Sequence, residues 1–139
     1  MPVDLGGTAV TGIAASVVYL LRVALGLSRP GEPVRVVEPY QMLGEVDDGL
    51  RAALGIDTTS LERQANLFGF ENRDWKEWRL FDGTPVLVPG AFNTTPEPNG
   101  DIPMYPGGDR GAPPSGRMPR GGYYFDTIVR QEPIDEEAL

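Results

Sequence analysis

Residues 75–88 read WKEWRLFDGTPVLV and form the clearest hairpin signal in the chain. Asp82-Gly83 separates two apolar arms, and this dipeptide favours a tight two-residue turn between paired strands. Apolar and charged residues alternate in the first arm, as expected of a strand with one buried face. Pro85 in the second arm predicts that this arm lies at a sheet edge, because proline cannot donate to a strand ladder.

The sequence before the hairpin predicts alternating strands and helices. Short apolar runs at 3–5 and 34–37 are strand candidates, and Asp57 begins another short segment of the same kind. Apolar residues recur at helical spacing over 12–25 and 39–54. Strands and helices in this order favour an α/β architecture, in which the strands are buried beneath the helices.

The sequence after the hairpin is rich in proline and glycine from 90 to 122, which predicts either an irregular excursion or a disordered linker. GYYFDTIV at 122–129 predicts a further strand. PIDEEAL at 133–139 has the features of a helix start, with Asp135 as N-cap. One helical turn has little stability by itself. We therefore expect either a frayed acidic tail or a helix that continues past Leu139.

Composition excludes several classes of function. The 139 residues include 12 basic and 20 acidic side chains, so the net charge of −8 disfavours binding to nucleic acid or to an anionic membrane. Histidine and cysteine are both absent, which excludes a serine–histidine or cysteine–histidine nucleophile within these residues. Residues 9–27 approach the length of a membrane span, but Arg22 interrupts them. We therefore expect a buried helix there and a soluble, cytoplasmic protein.

Asp4 and Thr8 are the candidate substrate-binding residues, in the glycine-rich run DLGGT at 4–8. A turn between a strand and a helix can bring a ligand close to the backbone, and a helix N-terminus favours an anion. The run lacks the glycine patterns of dinucleotide-binding and phosphate-binding loops. A plain connecting turn is therefore the alternative interpretation.

Three further sets of residues could form a site, and each has a plainer alternative. An acidic run could form a pocket or a solvated helix face: Glu45, Asp47 and Asp48. Arginines of the proline- and glycine-rich segment could contact an acidic ligand or another subunit, or could solubilise a loop: Arg110, Arg117 and Arg120. Aromatic residues could stack on a ligand or form a satellite core: Trp75, Trp78, Phe81, Tyr123, Tyr124 and Phe125.

Three segments, taken in order, resemble the N-terminal portion of the uroporphyrinogen decarboxylase superfamily. They are PVDLGGT with TGIAASVVYLLRVALGL, then VRVVEPYQMLGEVDDGLRAALGID, and finally DWKEWRLFDGTPVLVP with GGYYFDTIVRQEPIDEEAL. The similarity is to the branch that includes corrinoid and coenzyme M methyltransferases. It implies an incomplete (β/α)8 TIM barrel with a β-hairpin-rich insertion. Residues 1–74 would be the first βα units, 75–132 the hairpin and Gly/Pro-rich excursion, and 133–139 the start of the next barrel helix.

The resemblance also implies a function for the parent protein. That function is methyl transfer from a corrinoid to a small acceptor, or decarboxylation, with a corrinoid and zinc as cofactors of the parent and none within these residues. The implied partners are the C-terminal remainder of the barrel, a corrinoid protein and further copies of the chain, with no nucleic acid and no membrane.

No catalytic residue follows from the resemblance. The arginine-rich MRQAGR element and the FSDI element of true uroporphyrinogen decarboxylases are missing, and GIDTTS at 55–60 replaces the latter without its matching aspartate. We therefore expect these residues to be inactive by themselves. The alternative is a freestanding acidic module that binds a ligand or another protein through its aromatic hairpins.

Overall fold

The computed structural model describes residues 1–61 and 64–130, and the helix start predicted at 133–139 lies outside them. Two α-helices and seven strands are present in the described residues. The elements are α1 (Ala15–Ala24), β1 (Val34–Glu38), β2 (Leu43–Gly44), α2 (Asp48–Leu54), β3 (Lys76–Arg79), β4 (Pro85–Val88), β5 (Ile102–Met104), a 3-10 turn (Pro106–Gly108), β6 (Gly116–Met118) and β7 (Asp126–Thr127).

The strands form two separate sheets. The first sheet has the order β2-β1-β4-β3. Within it β1 and β4 are parallel, with Val34 opposite Val86, while the other neighbours are antiparallel. The second sheet has the order β5-β6-β7 and is antiparallel throughout, with Met104 opposite Gly116. Strand β4 is therefore internal, because it is paired on both sides.

The hairpin predicted at 75–88 is present as β3 and β4, but two of its details differ from the prediction. The turn is wider than two residues: Gly83 donates to the Leu80 carbonyl at 2.9 Å, and Leu80 donates to Thr84 at 3.0 Å. Gly83 takes the left-handed conformation, with φ +85°, that closes such a three-residue loop. The edge position predicted from Pro85 is wrong. Pro85 is the first residue of β4, and the pairing with β1 begins only at Val86.

The helix predicted over 39–54 is present only in its second half, as α2. Met42 has a left-handed φ of +53°, which a continuous helix does not allow. Gly44 instead extends as β2 against α1, where a Cβ would lie 2.7 Å from Val18 Cγ2. Asp47 then caps α2 by accepting a hydrogen bond from the Leu50 amide at 2.9 Å. Close packing at Gly44 therefore overrides the apolar periodicity of this segment.

Two other strand predictions are wrong or too long. Residues 3–5 and residues 57–61 form no strand, and one backbone hydrogen bond of 2.9 Å, from the Asp57 amide to the Val3 carbonyl, joins them. The strand predicted at 122–129 shrinks to β7. Tyr123 and Tyr124 precede it at the surface and are 44% and 62% exposed.

One apolar core connects the two sheets. Aromatic rings form its centre: Phe125 meets Phe68 edge-on at 5.2 Å and Phe92 at 5.8 Å, and Phe92 packs 5.2 Å from Trp78. Aliphatic and methionine side chains from both sheets surround the rings: Val36, Met42, Leu80, Val86, Val88, Ile102, Met104 and Met118. Residues on both sides of position 75 therefore bury their apolar surface together.

The prediction of an incomplete (β/α)8 barrel is wrong. Such a barrel needs parallel strands, each followed by a helix. In the described residues only β1 and β4 pair in parallel, two helices are present, and neither sheet closes. The hairpin pairs with β1 through β4, so it is part of the first sheet and not an insertion into a barrel.

Helix α1 lies on the first sheet and covers a smaller core, formed by Val18, Val34 and Leu50. Its opposite side is open, since Val17 is 44% and Leu20 63% exposed. Across residues 1–61 and 64–130, no helix has both the length and the apolar character needed to cross a membrane.

Phe125→Ala is expected to lower the free energy of unfolding by about 3–5 kcal/mol, because it empties the place where three aromatic rings meet. The adjacent variant Tyr124→Ala is the matched control and should change it by less than about 0.5 kcal/mol, since that ring faces solvent. Urea denaturation of both variants measures the difference. Equal destabilisation by the two variants would contradict the shared aromatic core.

Candidate functional site

The Asp4 turn, residues 3–11, is held in place by the Asp4 carboxylate. Its Oδ1 accepts hydrogen bonds from the Thr58 hydroxyl at 2.6 Å and from the Gly7 amide at 3.1 Å. Thr58 lies 54 positions further along the chain. The carboxylate therefore joins the N-terminal turn to the segment that follows α2.

Two glycines allow the Asp4 turn to approach its surroundings closely. Gly6 has a φ of +77°, and a Cβ on it would lie 2.7 Å from Val46 Cγ2. A Cβ on Gly7 would lie 2.6 Å from the Asp4 carboxylate oxygen. These glycines were expected to bring a ligand close to the backbone. They bring other side chains of the same chain close instead.

Thr8 lies in the same turn but bonds to other partners. Its hydroxyl oxygen is 3.3 Å from that of Thr11 and accepts a hydrogen bond from the Val10 amide at 3.2 Å. Asp4 and Thr8 are both exposed, so a ligand could reach them from solvent. Substrate binding by these two residues stays a prediction.

The sequence predicts that the Asp4 turn lies at a helix N-terminus, and this prediction is wrong. Helix α1 begins only at Ala15, and Ala14 before it provides no side-chain cap. The helix dipole therefore does not act on Asp4 or Thr8, since it falls off within one turn. An ionised carboxylate beside hydroxyl groups suits a hydrogen-bond donor or a cation better than an anion.

Asp57 provides the second link between the two segments. Its carboxylate Oδ2 accepts a hydrogen bond from the Val3 amide at 2.7 Å, while its own amide donates to the Val3 carbonyl at 2.9 Å. Its role is thus to hold the start of the chain against the end of α2. Asp57 therefore connects two segments instead of beginning a strand.

The pKa of Asp4 is lowered from its usual value of 3.8, chiefly because the Thr58 hydroxyl donates to the carboxylate. Burial acts in the opposite direction, and the Gly7 amide and the Thr11 hydroxyl lower the pKa further. Because the folded state binds this proton less tightly than the unfolded state, ionised Asp4 contributes stability above pH 3.8. That contribution disappears as the pH falls through the lowered pKa.

Lys76 is a functional candidate that the sequence analysis missed. Its ammonium group donates to the carbonyls of Gly90 at 2.9 Å and Phe92 at 2.6 Å. Burial lowers its pKa, and the positive charge of Arg110 lowers it further. A signal was present in the sequence, because Lys76 shares the inward face of β3 with Trp78.

The three arginines of the proline- and glycine-rich segment have different surroundings. Arg117 lies 3.9 Å from Glu97 and 3.7 Å from Asp101. Arg110 donates to the side-chain oxygen of Asn93 at 3.0 Å. The Arg120 backbone amide donates to the Asp101 carboxylate at 2.9 Å. The structure therefore does not bring the three arginines together on one partner.

The acidic run does not form a pocket. Asp47 caps α2 and pairs with Arg22 of α1, and Asp48 pairs with Arg51 at 2.7 Å. Glu45 lies 3.9 Å from Arg35. Asp47 and Asp48 therefore stabilise the helices, and Glu45 lies near an arginine of β1. The acidic run is a solvated face whose carboxylates also pair with arginines.

The aromatic set divides between core and surface. Trp78 and Phe125 belong to the core or pack against it, as the satellite-core interpretation expected. Phe81, Tyr123 and Tyr124 are exposed. Trp75 lies beneath the Arg35 guanidinium, 5.4 Å from the ring centroid. These aromatic side chains therefore do not form one continuous stacking surface.

Two open clefts lie away from the Asp4 turn. The larger, of about 320 Å³, is lined by Gly69, Phe70, Glu71, Arg73, Asp74, Ala91 and Gly107. The smaller, of about 230 Å³, is lined by Gly31, Pro33, Glu77, Trp78, Arg79, Pro85 and Val86. The volume of the larger cleft is at the lower limit for a drug-sized ligand.

The zinc implied by the family resemblance does not fit the described residues. In this part of the chain, no three acidic side chains lie close enough together to hold a metal ion, and the sequence has no histidine or cysteine to replace them. We therefore derive no chemical step through zinc.

Comparison with protein-family models, with curated proteins and with solved structures found no match.

Thr58→Val is expected to raise the pKa of Asp4 towards 3.8, because it removes the hydrogen bond that lowers this pKa most. An NMR titration of the Asp4 carboxyl carbon measures the change. Thr95→Val, the same substitution in a loop on the other side of the hairpin, should leave the titration unchanged. An unaltered Asp4 pKa in Thr58→Val would contradict the link between the two segments.

Proposed function

We propose that this chain is part of a uroporphyrinogen decarboxylase-like protein that acts in the cytoplasm. The parent reaction is methyl transfer between a corrinoid and a small acceptor, with decarboxylation as the alternative within the same family. The Asp4 turn contributes substrate-binding groups, while the reacting groups come from outside these 139 residues. A corrinoid protein is the expected partner of the parent.

One observation carries this proposal: two of the segments that resemble the family lie against each other. The Asp4 turn contains VDLGGT of the first segment, and the second segment ends in GID, where Asp57 is followed directly by Thr58. Two side-chain hydrogen bonds join these segments, from the Val3 amide to Asp57 and from the Thr58 hydroxyl to Asp4. Contact between two segments that resemble the same family supports the assignment.

The chemistry of the Asp4 turn suits binding rather than bond cleavage. Asp4 is ionised at neutral pH, since its pKa lies below the usual 3.8, so it accepts hydrogen bonds and cannot act as a general acid there. The Thr8 hydroxyl can both donate and accept. Together they can hold an ammonium, hydroxyl or amide group of a substrate. The lowered pKa makes the Asp4 carboxylate a weak base, so it is poorly suited to activating a nucleophile.

The second candidate function is a freestanding acidic module that binds a ligand or another protein. The observation in its favour is that residues of both sheets, among them Val36 and Phe125, bury their side chains together in one core. An isolated module of this kind should unfold in one cooperative transition as a monomer. A chain that needs further residues should instead associate through the open side of α1.

The decisive experiment uses the reading frame together with its flanking genomic DNA. If that DNA encodes further family-like segments in frame, the extended protein is assayed for methyl transfer from methylcobalamin to a small thiol. We expect activity in the extended protein and none in residues 1–139. Asp4→Ala should raise KM about tenfold or more, because a charge-assisted hydrogen bond to substrate is lost.

Asp126→Ala is the matched control, since Asp126 lies on β7 with an exposed side chain and should leave KM unchanged. Absence of in-frame family segments, combined with cooperative unfolding of a 139-residue monomer, would contradict the family proposal and favour the binding module.

A further inference from the structure

The loop at 89–93, which follows β4, is held by two cationic side chains. Lys76 on β3 reaches it with its ammonium group, which donates to the Gly90 and Phe92 carbonyls at 2.9 and 2.6 Å. An ammonium group has three donors, so one remains available after these two hydrogen bonds. Lys76 is therefore held in position by two hydrogen bonds, and its third N–H donor can bind a ligand.

Arg110 reaches the same loop through Asn93, whose side chain is only 3% exposed. Asn93 Oδ1 accepts from the Arg110 guanidinium at 3.0 Å and from the Thr95 amide at 3.1 Å. Asn93 Nδ2 donates to the Pro103 carbonyl at 2.8 Å. A buried amide with its own position fixed thus orients an arginine at the surface, and most of the guanidinium donors stay free.

Within residues 1–61 and 64–130, the hydrogen-bond partners of the two cations are neutral oxygens. Among the described residues, no carboxylate lies within 4.0 Å of either Lys76 or Arg110, although the chain carries a net charge of −8. Their partners belong to adjacent residues of the loop, the Phe92 carbonyl for Lys76 and the Asn93 side chain for Arg110, and the charge of Arg110 lowers the pKa of Lys76. Two positive charges held on neutral oxygens of one loop make a local site for negative charge in an otherwise acidic protein.

We propose that Lys76 and Arg110 together bind one phosphate group at the 89–93 loop. A phosphate monoester is a dianion at neutral pH, so it matches two cations where a carboxylate would match one. Arginine binds phosphate through two parallel hydrogen bonds, and lysine adds a point charge. This inference is independent of the family proposal, because neither residue belongs to the Asp4 turn.

The probe is methyl phosphate, added to the 139-residue protein at a pH of about 7.5, where phosphate monoesters are dianionic. Binding is followed by NMR through the Asn93 amide and the Lys76 side-chain nitrogen. Sodium chloride at the same ionic strength controls for screening, and sodium acetate tests whether a carboxylate binds equally well. We expect saturable shifts with methyl phosphate and weaker binding of acetate.

Arg110→Gln is the decisive variant, because Arg110 is exposed and its loss should not disturb the core. It should weaken methyl phosphate binding about tenfold. Arg120→Gln is the matched control, because it removes a charge from the same segment. The Arg120 side chain lies beside Gly100, so this variant should leave the affinity for methyl phosphate unchanged. Lys76→Gln should also weaken methyl phosphate binding. If Lys76→Gln fails to fold, the affinity of Arg110→Gln alone decides the test.

Three results would overturn the proposal. They are shifts no larger than those caused by chloride, equal affinity for acetate and methyl phosphate, and equal weakening by Arg110→Gln and Arg120→Gln.

Discussion

The burial of β4 is the constraint on which the rest of the structure depends. This strand pairs with β1 in parallel and with β3 antiparallel, so it links the two halves of the sequence through backbone hydrogen bonds. Val86 and Val88 are fully buried in the core that Phe92 and Phe125 share with the second sheet. Each sheet contributes apolar side chains to the same core, Val86 and Val88 from the first sheet and Met104 and Met118 from the second. This shared apolar core stabilises both sheets.

Polar contacts at the edge of this core position the candidate sites. Lys76 lies on β3 and binds the loop that leaves β4, so its place follows directly from the hairpin. Arg22 of α1 pairs with Asp47, the residue that caps α2, and thereby ties the two helices together. The Asp4 turn is more peripheral. It depends on Thr58 and Asp57, both of which are exposed or nearly so.

Sequence reasoning recovered the elements with strong local signals. The β3–β4 hairpin follows from alternation and from Asp82-Gly83, and α1 follows from apolar spacing. It failed where tertiary packing overrides local preference: the left-handed Met42 and the close contact at Gly44 turn half of a predicted helix into a short strand. Strands β5 and β6 were missed because three-residue strands in proline- and glycine-rich sequence have no periodicity to detect. For the candidate sites, the sequence located the Asp4 turn but not the contacts that hold it.

Hydrogen exchange of individual amides tests most directly whether the two sheets share a single cooperative core. Amides of β4 and of β6 should exchange only through global unfolding, with the same free energy of opening as the free energy of unfolding measured in urea. A distinctly lower free energy of opening for β6 than for β4 would show that the second sheet unfolds independently, and would contradict the account.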